Sequence, residues 1–168
     1  YKRQTNPLFG AWLEAGQQAG FRVTDDVNGF RQEGFAAFDK NVSRGRRLSA
    51  ARAYLHPVLT RPNLDLVTRA NVHRLTFEGN RCIGLELEHR RKIRHVTAGE
   101  VILSAGAFNS PQLLQLSGIG DPEHLASLDI PVVSALPGVG ENLQDHLEVY
   151  IQYACKEPVS MQPHLSKW

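Results

Sequence analysis

The sequence predicts an α/β fold, and two stretches carry that prediction. Residues 101–103 (Val-Ile-Leu) form a short apolar run of the kind that is buried on both faces of a parallel sheet, and Gly106 and a helix follow them. Upstream, residues 64–97 alternate between apolar and polar side chains, which is typical of antiparallel strands. The chain therefore combines a β-meander with a strand-turn-helix unit.

The first sixty residues predict one amphipathic helix, a long loop region and a second short helix. Residues 7–20 carry apolar side chains at helical spacing and end at a glycine. Residues 24–48 are rich in Gly, Asp, Asn and Arg and predict loops with short extended pieces. Ser49 is a candidate N-cap for a helix over residues 50–55, which Pro57 is expected to terminate.

The meander is predicted as successive strands joined by tight turns. Glu78 to Arg81 and His89 to Lys92 are the expected turns. The expected strands are residues 64–67, 71–77, 82–87 and 94–97.

In the strand-turn-helix unit, the sequence indicates where the helix starts and where it ends. Ser110 is a candidate helix cap, Pro111 suits the first helical position, and Gly118 is expected to end the helix. Gly106 allows a tight turn or the close approach of a ligand to the backbone. A strand that leads through glycine into a helix N-terminus is where α/β proteins hold nucleotide cofactors, because amides and the helix dipole point at one spot.

The C-terminal part predicts a short helix and two strands. Asp121-Pro122 starts a helix through Leu128, and residues 130–133 are expected to form an edge strand because they contain a proline. Residues 147–152 alternate in polarity, which predicts a strand with Glu148 and Tyr150 on the same face. From the pattern alone, a solvated strand face is as good an interpretation of these two residues as a binding site.

The composition predicts an ordinary globular protein. Hydrophobic residues make up 42% and charged residues 21% of the chain, and the net charge of +2 is too small for nucleic-acid binding. No apolar run is long enough to span a membrane, and the histidines lack metal-ligand spacing, so no metal site is expected. Cys82 and Cys155 have no CxxC spacing, which predicts reduced thiols in an intracellular protein.

The chain resembles the glucose–methanol–choline (GMC) oxidoreductases over residues 6–160. Residues 106–120, with Gly-Ala, Ser-Pro, Leu-Leu and Ser-Gly-Ile-Gly at fixed positions, are similar to the second signature of that family. Residues 137–146 (PGVGENLQDH) resemble a further family segment. Residues 28–35 and 49–57 are similar to the choline dehydrogenase branch.

The resemblance implies an FAD-dependent oxidoreductase that oxidises choline to betaine aldehyde, with choline as substrate and an unknown electron acceptor. It implies an α/β fragment of an FAD-binding, Rossmann-like domain with a β-meander, plus parts of an α+β substrate-binding domain. The expected division is a flavin-covering and substrate-domain segment (1–60), an FAD-domain segment (61–120) and a substrate-domain segment (121–168). The family's catalytic histidine and main phosphate loop lie outside this chain, so we expect an internal fragment that is inactive alone.

The resemblance also assigns candidate site residues. Ser104, Ala105 and Gly106 would contact the ADP part of FAD, and the backbone of Val72 would contact the adenine. Asn142 and His146 would lie against the flavin, with an ordinary loop turn as the alternative.

For the substrate, Glu148 would face the trimethylammonium group of choline, and Tyr150 would supply an aromatic ring beside it. The alternatives are a GMC enzyme for a neutral alcohol and a non-catalytic binding module.

The expected location is intracellular: the bacterial cytoplasm, the periphery of the inner membrane, or the mitochondrion in a eukaryote. Peripheral membrane association of the parent protein is a minority interpretation of the basic run at residues 90–92, which is otherwise a solvated turn.

Overall fold

The computed structural model describes residues 6–159, which form two compact units. One unit combines residues 6–65 with residues 149–159, and the other is Leu66–Glu148. The predicted division at residues 60 and 120 stays a prediction.

In the first unit, helix α1 (Pro7–Gln18) starts where the sequence predicts and ends two residues earlier. The side-chain oxygen of Asn6 accepts a hydrogen bond from the Leu8 amide at 2.9 Å, which caps the first turn. Phe35 packs against α1 at Gly16, where a Cβ would collide with the Phe35 ring. The Phe35 ring centroid lies 5.7 Å from that of Trp12.

The rest of this unit has little regular structure, as the loop prediction expects. Strands β1 (Val42–Ser43) and β2 (Arg46–Arg47) form a small hairpin. A π-helix (Ala51–Leu55) and a 3₁₀ helix (His56–Val58) follow. The π-helix ends at Leu55, as the sequence predicts, and Pro57 takes an early position in the following 3₁₀ turn, where a missing N–H costs nothing.

The second unit is built on the predicted meander. Strands β3 (Ala70–Glu78), β4 (Arg81–His89) and β5 (Lys92–Thr97) form an antiparallel sheet in that order. Both turns lie where the sequence predicts them. The expected strand at residues 64–67 is wrong: these residues have no regular structure, and no described strand lies beside them to accept their hydrogen bonds.

In the predicted strand-turn-helix unit, the helix is confirmed and the strand is wrong. Helix α2 (Gly106–Leu116) starts four residues before the predicted Ser110 cap. Ser110 lies inside the helix, and its hydroxyl accepts a hydrogen bond from the Ala105 amide at 3.0 Å. Residues 101–104 are not a strand, and Ile102 is 80% exposed, because no strand of the described residues pairs with them.

The segment after α2 folds back alongside it. Strand β6 (Ile119–Gly120) pairs in parallel with β7 (Ser134–Ala135), and α3 (Pro122–Ser127) connects them. Asp121 caps α3 as predicted, with its carboxylate 2.8 Å from the His124 amide. The predicted edge strand at residues 130–133 is wrong, since the pairing starts one residue later, at Ser134.

Residues 141–155 have no helix or strand, so the predicted strand over residues 147–152 is wrong. The apolar side chains of Leu147, Val149 and Ile151 are all largely exposed. The buried apolar core of the second unit is formed by Leu75, Leu87, Leu113 and Leu125.

Candidate functional site

A cleft of about 540 Å³ lies in the second unit between the start of β3 and helix α2. It brings together three of the predicted cofactor residues, Val72, Ser104 and Ala105, from two distant parts of the sequence. The other lining residues are Ala70, Asn71, Leu85, Val101, Ile102, Leu103, Asn109, Gln112, Leu113 and Leu116.

The N-terminus of α2 opens at one side of this cleft. Gly106, the first helical residue, has φ +91°, a conformation that favours glycine. A Cβ at Gly106 would meet nothing within 4 Å, so this face of the backbone is open to a ligand. The Ala105 amide is already bonded to Ser110, which leaves the amides of Gly106 and the next two residues as donors without an intrahelical partner.

The opposite wall is the start of β3, which is an edge strand of the three-stranded sheet. Its outer side does not pair with β4, so backbone groups there are available to a ligand or to another part of the chain. The register with β4 shifts between Val72 and Arg74, which marks a β-bulge directly beside the cleft.

The polar groups of the lining are amides and a hydroxyl, not charges. Asn71, Asn109 and Gln112 line the cleft together with Ser104, and sequence reasoning missed the first three. Asn109 and Gln112 are spaced by three residues on α2, and with Leu113 and Leu116 they form one helical face. That periodicity, combined with the position of Ala105, is the signal that could have found them.

The last turn of α2 is tied to β3 by a buried serine. Ser117 accepts a hydrogen bond from the Leu75 amide at 2.8 Å and donates one to the Leu113 carbonyl at 2.6 Å. Ser117 is the one buried polar side chain among the described residues. Sequence reasoning used Ser117 only as part of a signature and assigned it no role.

The remaining predicted cofactor residues do not line this cleft. Asn142 has φ +56° and follows a loop that α2 holds in place, because Gln115 Nε2 donates to the Val139 carbonyl at 3.0 Å. The amide of His146 donates to the carboxylate of Asp145 at 2.8 Å, a local bond that fits an ordinary loop turn. A flavin contact of Asn142 and His146 stays a prediction.

The predicted choline-binding residues lie on irregular chain. Glu148 is the last residue of the second unit, and Tyr150 belongs to the other unit. Residues 147–152 form no strand, so the prediction that both side chains lie on one strand face is wrong. Their substrate role stays a prediction that rests on the family resemblance.

A row of charged side chains crosses the meander on one face. Glu86 forms a salt bridge with Arg74 at 3.0 Å and lies 3.8 Å from His95, on the next strand. The hydrogen bond from Arg74 is the main cause that holds the pKa of Glu86 below its ordinary value. Glu88 and His73 approach to 3.6 Å nearby. These contacts join the three strands, and none of the residues lines the cleft.

A comparison with family models matches residues 1–148 to the GMC oxidoreductases. This match covers most of the chain. The chain belongs to the GMC oxidoreductase family. The resemblance seen in residues 106–120 and 137–146 is thereby confirmed, and the cleft belongs to a segment of the GMC fold.

Curated relatives of this GMC segment are named oxygen-dependent choline dehydrogenases. The protein of Staphylococcus saprophyticus is 62% identical over 162 residues, which covers 96% of this chain and 29% of the relative. The protein of Staphylococcus aureus strain Newman is 60% identical over 161 residues, with 28% of its length covered. The chain therefore spans less than a third of these relatives.

Solved structures share the fold. Pyridoxine 4-oxidase from Mesorbium loti superposes with a TM-score of 0.71 at 35% identity, covering 78% of this chain and 26% of the other. An FAD-dependent oxidoreductase from Chaetomium thermophilum gives a TM-score of 0.64 at 28% identity, covering 79% and 24%. The mixed helix and strand architecture is that of these oxidoreductases.

Within residues 6–159, no helix is both long and apolar enough to cross a bilayer. No group of three His, Cys, Asp or Glu side chains in the same range could hold a metal ion. Cys82 and Cys155 are both free thiols.

Proposed function

We propose that this chain is the part of a choline-oxidising GMC flavoenzyme that binds the adenosine end of FAD. The observation that carries the proposal is the cleft between β3 and α2, since it unites Val72 with Ser104 and Ala105. The family resemblance implies that these residues, about thirty positions apart in sequence, contact one ligand. Their meeting in one concave site supports that assignment.

The donor set of the cleft fits an adenosine moiety. The lining combines apolar side chains with Asn71, Asn109 and Gln112, whose amides can donate to and accept from a purine edge or a ribose hydroxyl. No charged side chain lines the cleft, which suits a neutral nucleoside. The amides at Gly106 and the positive end of α2 suit the phosphate that would leave the cleft on that side.

FAD, when bound, would accept the hydride that leaves the alcohol carbon of choline. The residues of this chain would hold the cofactor and the cation, while the base that takes the hydroxyl proton is expected outside it. Choline has no N–H to donate, so its recognition depends on charge and on aromatic contact. We propose Glu148 as the counter-charge and Tyr150 as an aromatic contact, on the family resemblance alone.

A full-length host tests the proposal: the Staphylococcus saprophyticus relative with its matching segment replaced by this chain. We expect the purified full-length host to carry FAD and to consume oxygen when choline is added. Oxygen is the acceptor to test first, because the relatives are named oxygen-dependent. A host that folds but retains no flavin would contradict the proposed cofactor role.

A GMC enzyme for a neutral alcohol is the second candidate. A solved neighbour at 35% identity is a pyridoxine 4-oxidase, and pyridoxine is an alcohol without a quaternary ammonium group. Pyridoxine and the neutral isostere of choline, with carbon in place of nitrogen, are therefore assayed in the same host. Faster turnover of either compound than of choline would favour this candidate.

A non-catalytic module, the remaining alternative, predicts no turnover of any of these alcohols. An intracellular location and a peripheral membrane association stay predictions. Fractionation of cells that express the full-length host would test both.

A further inference from the structure

The hydroxyl of Ser117 hydrogen-bonds to both β3 and α2, the two walls of the cleft, although Ser117 does not line the cleft. Ser117 follows the last residue of α2 and is buried. Its oxygen accepts from the amide of Leu75 on β3, and its proton goes to the carbonyl of Leu113 on α2. Leu113 lines the cleft, and Leu75 lies three residues along β3 from Val72, which also lines it.

Both partners of the hydroxyl need it. The Leu75 amide donates to Ser117 on the side of β3 that has no neighbouring strand, and it is buried, so neither a strand nor water can take its hydrogen bond. The regular helical donor to the Leu113 carbonyl would be the Ser117 amide, but that amide bonds to the Leu114 carbonyl instead, at 3.0 Å. One hydroxyl therefore satisfies a donor and an acceptor on two different elements, and only a side chain with both functions can replace it.

We propose that Ser117 is a positioning residue that sets the separation of β3 and α2, and with it the width of the FAD cleft. This inference rests on the proposed function. Ser117 does not line the cleft itself. It acts through Leu75 and Leu113, because removal of the hydroxyl leaves the buried amide without a partner. β3 then has to move to expose that amide to water, and the Val72 wall moves with it.

The expected effect is a loss of FAD affinity that exceeds what destabilisation alone produces. In the full-length host, Ser117→Ala should raise the dissociation constant for FAD about tenfold, the factor that corresponds to one lost buried hydrogen bond. The Leu75 amide should also exchange with solvent faster. Ser117→Thr keeps a hydroxyl with both functions and should restore most of the affinity.

Two control variants separate positioning from general stability. Leu125→Val removes a methylene from a fully buried side chain on α3 that does not line the cleft. It should lower the melting temperature without changing FAD affinity. Ser127→Ala removes a helical hydroxyl that bonds only to the His124 carbonyl of its own helix. This variant should change neither the melting temperature nor the FAD affinity appreciably.

The decisive measurement is titration of the flavin-free host with FAD, followed by flavin fluorescence, together with hydrogen exchange at Leu75. Faster exchange at Leu75 with unchanged FAD affinity in Ser117→Ala overturns the inference, and so does an equal loss of affinity in Leu125→Val. If the unsubstituted host does not bind FAD at all, the proposed function fails instead. An Ala variant that does not fold is replaced by Ser117→Cys, whose weaker hydrogen bonds predict an intermediate affinity.

Discussion

At the scale of single residues, the Ser117-Gly118 pair of the family signature has a structural explanation. Ser117 ties α2 to β3, and Gly118 ends the helix with φ +84°. The Gly118 carbonyl accepts bonds from the Val133 and Ser134 amides at 2.7 and 3.1 Å, so the returning chain lies directly against it. A signature that sequence reasoning connected only with the cofactor therefore also holds the second unit together.

Gly118→Ala should destabilise the full-length host by about 2–3 kcal/mol, because alanine is strained at positive φ. The added Cβ would in addition collide with the Pro131 carbonyl. Gly99→Ala is the matched control, since a Cβ there meets nothing within 4 Å. Denaturant unfolding measures both variants. Equal stabilities would show that the chain around Gly118 adapts without cost.

Glu148→Gln tests the proposed counter-charge, since it keeps the shape of the side chain and removes its charge. At a separation of about 5 Å and an effective dielectric of about 20, the lost attraction is roughly 3 kcal/mol, which corresponds to about a hundredfold before solvent screening. The loss should appear in kcat/KM for choline in the full-length host, while flavin content stays the same. The neutral isostere should be nearly indifferent, and an equal loss for both substrates would remove Glu148 from the substrate site.

At the scale of elements, the sequence was sufficient to predict turns and helix ends, because these are formed by residues that are adjacent in the chain. The meander turns, the Asp121 cap of α3 and the Gly118 end of α2 follow from adjacent residues, and all were predicted. The turn after β4 has Arg90 and Arg91 both at positive φ, which matches a two-residue hairpin turn although neither is Asn or Gly.

Elements that need a distant partner were predicted less well. Residues 101–103 and 147–152 have the composition of strands, but a strand exists only beside another strand, and no described segment pairs with them. For the same reason the sequence could not show that Asn109 and Gln112 share a cleft with Val72. The cleft forms because α2 packs on β3, and this contact joins segments that are far apart in the sequence.

The meander should lose stability in acid through Glu86. The pKa of Glu86 is lowered in the folded state, so the folded protein binds this proton less readily than the unfolded chain. Ionised Glu86 therefore adds its full contribution to the free energy of unfolding above the pKa of the unfolded chain, about 4.5. This contribution is lost as the pH falls through the lower pKa of the folded state.

Glu86→Gln in the full-length host should consequently reduce the difference in melting temperature between pH 7 and acid pH, because it removes the titrating group. Glu141→Gln, which changes an exposed loop carboxylate, serves as the control. Identical acid sensitivity of Glu86→Gln and the unsubstituted host would show that the Arg74 salt bridge contributes nothing measurable.

At the scale of the whole molecule, the described chain has two units and exposes many large apolar side chains. In the second unit, Ile102, Phe108 and Leu147 are among them. Isolated exposed apolar residues are common, but an unpaired strand-like segment beside a helix invites association with other chains. The chain spans less than a third of its curated relatives, in which further residues are present.

The 168-residue chain expressed alone should therefore show no choline oxidation, bind FAD weakly and aggregate or remain partly molten. Gel filtration with absorbance in the flavin region, combined with a choline-dependent dye reduction assay, measures these properties. A monomer that keeps its yellow colour through the column and melts cooperatively would contradict the expectation.

Hydrogen exchange of the full-length host, with and without FAD, tests most directly whether the cleft between β3 and α2 holds the cofactor. We expect FAD to slow exchange in residues 70–72 and 104–109 together, since both walls of the cleft would contact it. Meander residues away from the cleft, such as those around Arg94, should not change. If the host binds FAD stoichiometrically but exchange slows in neither residues 70–72 nor residues 104–109, the cleft is not the FAD site.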